Sequence, residues 1–177
     1  MKEYIYISIP RTGTNSIHKL LGQIDSENHK SIELIERAGY SFAFVRNPYD
    51  LLVSWFYYHK QHQPKLEVYH CEFLTWIDRG CPHHWSDGLL KSSGVTHPLN
   101  QFQYICDSSG MILVNMIGRF ESLQEDFINI CDVIGIKDKS LPHVNGSKHN
   151  PWEGYYTPKA LAQVKDQFKK DFEIFNY

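Results

Sequence analysis

Short apolar runs alternate with amphipathic stretches along the chain, and this alternation predicts strands separated by helices. Three runs have the length and the apolar character of buried strands, at residues 4–9, 40–45 and 111–117. Elsewhere apolar residues recur at helical spacing, and Ser, Asn-Pro, Thr-Pro and Gly mark the ends of these segments. The first predicted helix is short and carries Ile17, Leu20, Leu21 and Ile24 at helical spacing. The other predicted helices are 32–38, 48–62, 66–79, 98–106, 122–134 and a last one that begins at Pro158.

This order of elements predicts the fold class. Strands that alternate with helices form βαβ units, whose strands are parallel and whose sheet is covered on both faces. We therefore predict an α/β fold of three layers with a central parallel sheet. A chain of 177 residues fits one domain, which would span residues 1–177.

Composition and charge narrow the class of protein. With 42% hydrophobic and 21% charged residues, the chain is too apolar for a disordered protein. The formal net charge of -2 disfavours bulk nucleic-acid binding but allows a local anion site. Apolar runs are too short for a membrane span, and the N-terminus lacks a secretory leader. These features predict a soluble cytoplasmic protein without nucleic-acid or membrane partners, and they leave the oligomeric state open.

The cysteine and histidine positions do not favour a metal. The four cysteines are spread along the chain without a C-x-x-C pair, which predicts free, mostly buried thiols. Zinc-type ligands occur at His70-Cys71 and in the segment Cys81-Pro82-His83-His84. Their spacing fits no common structural zinc pattern, and we predict no bound metal.

The first candidate site follows the first predicted strand. A tight turn with one glycine leads from this strand into a helix that opens with hydroxyl side chains. Such a turn directs backbone N–H groups to one point at the positive end of the helix dipole, which favours phosphate. The turn lacks the Walker A pattern, and an ordinary capped strand-to-helix turn is the alternative. The candidate residues are Arg11, Thr12, Gly13, Thr14, Asn15 and Ser16.

The second candidate site follows the second predicted strand. Arg46 stands at the end of this strand, and Ser54 comes eight residues later on the next helix. Ligands of parallel sheets bind beyond the carboxyl ends of the strands, so Arg46 and Arg11 should face the same crevice. Arg46 and Ser54 together suit a second phosphate group. Pairing of Arg46 with Asp50 is the alternative, although it leaves the first segment unexplained.

These segments resemble the sulfotransferases that use 3′-phosphoadenosine 5′-phosphosulfate (PAPS), especially the small carbohydrate-type branch. Pro10 to Ser16 match the family's loop for the 5′-phosphosulfate, and Arg46 to Ser54 match its segment for the 3′-phosphate. A later G-R-F-E-x-L-x-x-D-F element corresponds to residues 118–127, and the tail segments 141–148, 155–158 and 171–177 also look alike. The resemblance thus spans nearly the whole chain, and it implies a P-loop-NTPase-like sulfotransferase architecture.

The resemblance also implies roles for individual residues. Arg11 stands where many members carry a lysine that stabilises the leaving phosphate, and other branches have arginine there. Ser147 and Lys148, in a Gly-Ser-Lys loop, would close over the donor, although a solvated lysine is an equal alternative. The base that takes the proton of the acceptor hydroxyl would be His29, with His97 as the alternative.

The function expected from the sequence is transfer of a sulfuryl group from PAPS to a hydroxyl acceptor, a carbohydrate or a small alcohol. The products would be adenosine 3′,5′-bisphosphate and the sulfated acceptor, and no metal is required. A P-loop-like nucleotide kinase or NTPase is one alternative, disfavoured by the missing Walker lysine. A non-catalytic nucleotide-binding homologue is the other alternative, for which Arg11 is the only indication.

Overall fold

The structure is a computed structural model that describes residues 3–22, 31–32, 39–83, 98–142 and 149–177. Three β-strands and seven α-helices lie in these ranges. In chain order they are β1 (Tyr4–Ile7), α1 (Thr14–Leu21), β2 (Tyr40–Val45), α2 (Pro48–His62), α3 (Phe73–Asp78), α4 (Phe102–Ile105), β3 (Met116–Arg119), α5 (Leu123–Ile134), α6 (Pro158–Gln167) and α7 (Lys169–Phe175). Single 3₁₀ turns cover Glu67–Tyr69, Phe120–Ser122 and Trp152–Tyr155.

The strands form one parallel sheet in the order β1-β2-β3. Tyr4 of β1 pairs with Tyr40, and at the other end of β2 Val45 pairs with Arg119. The central strand is hydrogen-bonded on both sides, which explains why residues 41–45 are all buried and read as a nearly continuous apolar run. The predicted α/β class with a parallel sheet is confirmed.

The chain divides into two compact units. The sheet unit comprises residues 1–46 and 100–146, and the helical unit comprises residues 47–99 and 147–177. The sheet unit holds all three strands with α1, α4 and α5, and the helical unit holds α2, α3, α6 and α7.

In the sheet unit, one face of the sheet packs against α1 and α5. Side chains alternate between the two faces of a strand, so Phe42 and Phe44 point to the same side. They share a buried cluster with Ile17 of α1 and Phe127 of α5. Gly118 lies beside Phe44 so closely that a Cβ there would be 2.3 Å from the Phe44 ring. A glycine is therefore required at this point of β3.

In the helical unit, the predicted long aromatic helix is present with the predicted bounds. The side chain of Asn47 accepts the Tyr49 N–H at 3.0 Å, and Pro48 occupies the first turn, as the sequence indicates. Buried aromatic side chains form the core, and the indole N–H of Trp55 donates to the Tyr69 hydroxyl at 3.0 Å. This polar contact satisfies two groups inside an otherwise apolar cluster.

The predicted third strand is displaced toward the C-terminus. It was expected at residues 111–117 and lies at Met116–Arg119. Asp107 explains the shift, because its carboxylate accepts the Met111 N–H at 2.9 Å and closes a turn there. Ile112 is 43% exposed beyond that turn. The apolar run therefore begins in an exposed turn, and only its end enters the sheet.

Three predicted helices are shorter or interrupted. The segment 66–79 contains a 3₁₀ turn and then α3. Between these two elements, the Cys71 carbonyl accepts a hydrogen bond from the Lys60 ammonium at 2.8 Å. The segment 98–106 is helical only from Phe102. The last helix breaks at Phe168, although its apolar stripe stays buried on both sides of the break. Residues 33–38 of the predicted helix 32–38 lie outside the described residues.

The four cysteines all lie in described ranges and form no disulfide, as predicted. Three of them are buried. Burial raises the pKa of the Cys81 thiol to about 12, so this thiol stays protonated at neutral pH.

Candidate anion-binding site

The turn between β1 and α1 has an unusual backbone. Arg11 has a φ of 67° and Gly13 a φ of 87°, both in the left-handed region. Glycine adopts this region freely, whereas a side chain there costs roughly 1–2 kcal/mol. Strain of this kind at a non-glycine residue occurs preferentially at ligand-binding sites. The conformation of Arg11 thus favours a ligand-binding role for this turn.

The N-terminus of α1 is open to an anion. Gly13 is its N-cap, no side chain caps the first turn, and this turn contains no acidic residue. The Ser16 N–H donates to the Gly13 carbonyl at 3.0 Å. The N–H groups of Thr14 and Asn15, which precede it, have no acceptor within the helix and lie at the positive end of its dipole. A Cβ at Gly13 would lie 2.7 Å from Cδ2 of Leu123, so the packing of α5 also favours glycine here.

The two threonine hydroxyls of the turn are directed at the protein itself. Thr12 Oγ1 donates to the Ile9 carbonyl at 2.9 Å, and Thr14 Oγ1 donates to the same carbonyl at 2.8 Å. The Tyr6 hydroxyl in turn donates to Thr14 Oγ1 at 3.4 Å. A carbonyl only accepts, so both threonine protons are used in shaping the turn. Exposed Asn15 and buried Ser16 complete the predicted set.

Arg46 lies against the turn, as expected for neighbouring ends of parallel strands. Arg46 is only 5% exposed, and its Nη1 donates to the Arg11 carbonyl at 3.0 Å. Its guanidinium carbon lies 3.9 Å from the ring centroid of Phe120. The two predicted arginine positions therefore lie side by side, because the side chain of Arg46 contacts the main chain of Arg11.

Sequence reasoning did not single out the residues that hold Arg46. Gln101 is fully buried, and its amide contacts both the N–H and the carbonyl of Arg46. Phe120 follows β3 directly and supplies the ring under the guanidinium. No local signal identifies Gln101, because its partner is 55 residues away in the chain. Phe120 lies in the G-R-F-E element but carries no chemistry that the sequence could assign.

The carboxylate of Asp126 explains the spacing of the G-R-F-E-x-L-x-x-D-F element. It accepts the Arg119 N–H at 2.7 Å and the Ser122 hydroxyl at 2.8 Å. These bonds fix the turn between β3 and α5, the turn that presents Phe120. The element therefore has a structural role next to the candidate site.

The structure describes one of the five remaining predicted site residues, Ser54. Ser54 is fully buried on α2, in the helical unit. Among the described residues, no group of three His, Cys, Asp or Glu side chains forms a metal site, and no helix could cross a bilayer. Outside the described residues are His29, His97, Ser147 and Lys148.

An uncapped helix N-terminus beyond the carboxyl end of a parallel strand is typical of α/β proteins that bind phosphate groups. The chain belongs to the sulfotransferase family, whose family model matches residues 7–177. It is also 25% identical over 104 residues to an uncharacterized protein of Archaeoglobus fulgidus, an alignment that covers 59% of this chain and 74% of that protein. No solved structure matches.

Proposed function

We propose that this sulfotransferase-family protein moves a sulfuryl group from PAPS to a hydroxyl acceptor, a carbohydrate or a small alcohol. The observation that carries the proposal is the strained turn at Arg11, which precedes an uncapped helix N-terminus. Membership of the sulfotransferase family supports the reaction type. The proposal includes a P-loop-like architecture, one domain over residues 1–177, a cytoplasmic location, and independence of metal, nucleic acid and membrane.

The proposed donor site uses the sheet unit. The Arg11 side chain and the N–H groups of Thr14 and Asn15 at the start of α1 would hold the 5′-phosphate end, with Ser16 nearby. The threonine hydroxyls would act indirectly, since their protons are used on Ile9. Arg46 would hold the 3′-phosphate through its guanidinium, which is charged at every physiological pH. The roles of Ser54, Ser147 and Lys148 rest on the sequence resemblance.

The proposed chemistry is an in-line displacement. The acceptor oxygen forms a bond to sulfur while the bond from sulfur to the 5′-phosphate oxygen breaks. The acceptor proton passes to a base, for which His29 is proposed and His97 is the alternative. Negative charge grows on the leaving phosphate, so fixed cations and N–H groups at that point lower the barrier.

A ligand-binding test addresses the donor class directly. Adenosine 3′,5′-bisphosphate, the product of the proposed reaction, is expected to raise the melting temperature. At a hundredfold excess over its dissociation constant it stabilises the fold by about 2.7 kcal/mol, because it binds only the folded state. Differential scanning fluorimetry with the bisphosphate, and separately with ATP and magnesium, measures both effects.

The outcomes separate the candidate functions. Stabilisation by ATP and magnesium alone would contradict the proposal and favour a nucleotide kinase or NTPase. Stabilisation by the bisphosphate without consumption of PAPS, across a panel of sugar and alcohol acceptors, would indicate a non-catalytic homologue.

Replacing Arg46 by alanine is expected to weaken donor binding more than it slows turnover. The 3′-phosphate is remote from the transferred group, so its contacts are similar in the ground and transition states. The dissociation constant of the bisphosphate should rise roughly 10- to 100-fold, the loss expected for hydrogen bonds to a charged group. Isothermal titration calorimetry and steady-state kinetics provide the two readings.

Arg79→Ala is the matched control, since Arg79 is an exposed arginine at the end of α3. It should bind the bisphosphate as the wild type does. Unchanged affinity in Arg46→Ala would remove Arg46 from the donor site.

A further inference from the structure

The main chain of Arg46 is held by a side chain from a distant segment. The Arg46 N–H donates to Oε1 of Gln101 at 2.8 Å, and Nε2 of Gln101 donates to the Arg46 carbonyl at 2.7 Å. Gln101 therefore contacts Arg46 as a neighbouring strand would, one residue beyond the point where β2 ends. Because Gln101 is fully buried, water does not compete for these bonds.

The side chain of Arg46 is held from two other directions. The Arg11 carbonyl accepts a hydrogen bond from Nη1 of Arg46, and the Phe120 ring lies under the guanidinium. Three separate segments thus determine where the guanidinium lies. A long flexible side chain that is held before the ligand arrives loses less conformational freedom on binding, and this strengthens binding.

We propose that Gln101 and Phe120 are positioning residues for the donor's 3′-phosphate. Gln101 sets the position of the Arg46 main chain, and Phe120 sets the plane of its guanidinium. Neither residue contacts the phosphate; both act through Arg46. The inference rests on the proposed function, because it assumes that Arg46 binds the 3′-phosphate.

The proposal is tested with a pair of ligands that differ only in the 3′-phosphate. Adenosine 3′,5′-bisphosphate has this group and adenosine 5′-monophosphate lacks it. A residue that acts through Arg46 should affect binding of the first ligand alone, whereas general destabilisation of the fold should affect both. Calorimetric titration of each variant with both ligands measures this difference.

Gln101→Met keeps the length of the side chain and removes both hydrogen bonds. Arg46 must then be ordered when the ligand binds, and we expect the dissociation constant of the bisphosphate to rise roughly 2- to 10-fold, with that of the monophosphate unchanged. The same substitution at exposed Gln103, on the neighbouring helix α4, is the control and should leave both constants at their wild-type values.

Phe120→Leu removes the ring and keeps an apolar side chain at a half-buried position. Without the ring, the guanidinium must be ordered when the ligand binds, which should weaken bisphosphate binding by roughly 2- to 10-fold and leave monophosphate binding unchanged. In an Arg46→Ala background, neither substitution should have a further effect on bisphosphate binding, because both act through the same side chain.

The outcomes distinguish the inference from the proposed function. A wild-type protein that does not prefer the bisphosphate contradicts the proposed donor site itself. If the wild type prefers it and Arg46→Ala does not, then wild-type preference in Gln101→Met and Phe120→Leu overturns the inference. Equal weakening of both ligands also overturns it, since the residues would then serve only the fold. Should Gln101→Met fail to fold in far-ultraviolet circular dichroism, Phe120→Leu decides the matter alone.

Discussion

Replacing Arg11 by alanine is expected to lower kcat about 10²–10³-fold, the loss typical of removing one group that stabilises charge in the transition state. The affinity for adenosine 3′,5′-bisphosphate should fall much less. Charge on the leaving phosphate grows during the reaction, so the interaction is strongest in the transition state. Turnover at saturating PAPS and calorimetric affinity for the bisphosphate give the two numbers.

The left-handed backbone of Arg11 supplies an internal control. Arg11→Gly removes the same guanidinium as Arg11→Ala, but glycine adopts the φ of 67° without strain. After allowing for the greater freedom of glycine in the unfolded chain, the glycine variant should be more stable than the alanine variant by about 0.5–1 kcal/mol. Urea denaturation measures this difference in the free energy of unfolding.

Both variants should lose turnover equally, because the loss depends on the side chain and not on the backbone. Arg11→Lys restores a positive charge and should recover much of the activity. Wild-type kcat in Arg11→Ala would show that another group neutralises the leaving phosphate. Recovery of turnover in Arg11→Gly alone would instead make the backbone conformation the essential feature.

Replacing His29 by alanine is expected to lower kcat about 10²–10⁴-fold, the loss typical of a missing general base. Donor affinity should be retained, because the base acts on the acceptor hydroxyl. His29 lies outside the described residues, so the assignment rests on its position in the sequence, between the first candidate site and the strand that carries Arg46. The measurement is turnover at saturating PAPS, together with bisphosphate affinity.

His97→Ala tests the alternative base, and His62→Ala is the control. His62 is an exposed histidine on α2 whose ring nitrogen contacts the Tyr58 carbonyl at 2.9 Å. The His62→Ala variant should retain full turnover. Full turnover in His29→Ala together with loss of turnover in His97→Ala would assign the base to His97. Full turnover in both variants would exclude both histidines as the general base.

Two helix starts, the central strand and the turn at Gly13 could be predicted because each is specified by a few consecutive residues. Asn47-Pro48 and Thr157-Pro158 start helices where their side chains and fixed backbone angles favour a helix start, and both caps are present. The apolar run at Tyr40–Val45 indicates the central strand because it is short and rich in aromatic residues, which is typical of a strand buried on both faces. The conformation of the turn at Gly13 is likewise favoured by glycine itself.

Elements whose ends are set by hydrogen bonds that periodicity does not reveal were predicted less well. The run from Met111 is apolar enough for a strand, but the Asp107 carboxylate draws its start into a turn. The last helix breaks at Phe168 although its apolar stripe continues, and both halves are buried. Periodicity reports which side of a segment is buried, and it does not report where the hydrogen bonding is interrupted.

Local patterns along the chain predicted the α/β class, the succession of strands and helices, and the two arginines that follow the first two strands. Packing between separate segments determined that the Phe120 ring lies under the Arg46 guanidinium. It also decided that Gln101 holds the main chain of Arg46. The physical reason is range: strands, caps and turns depend on a few consecutive residues, whereas these contacts exist only after separate segments have packed together.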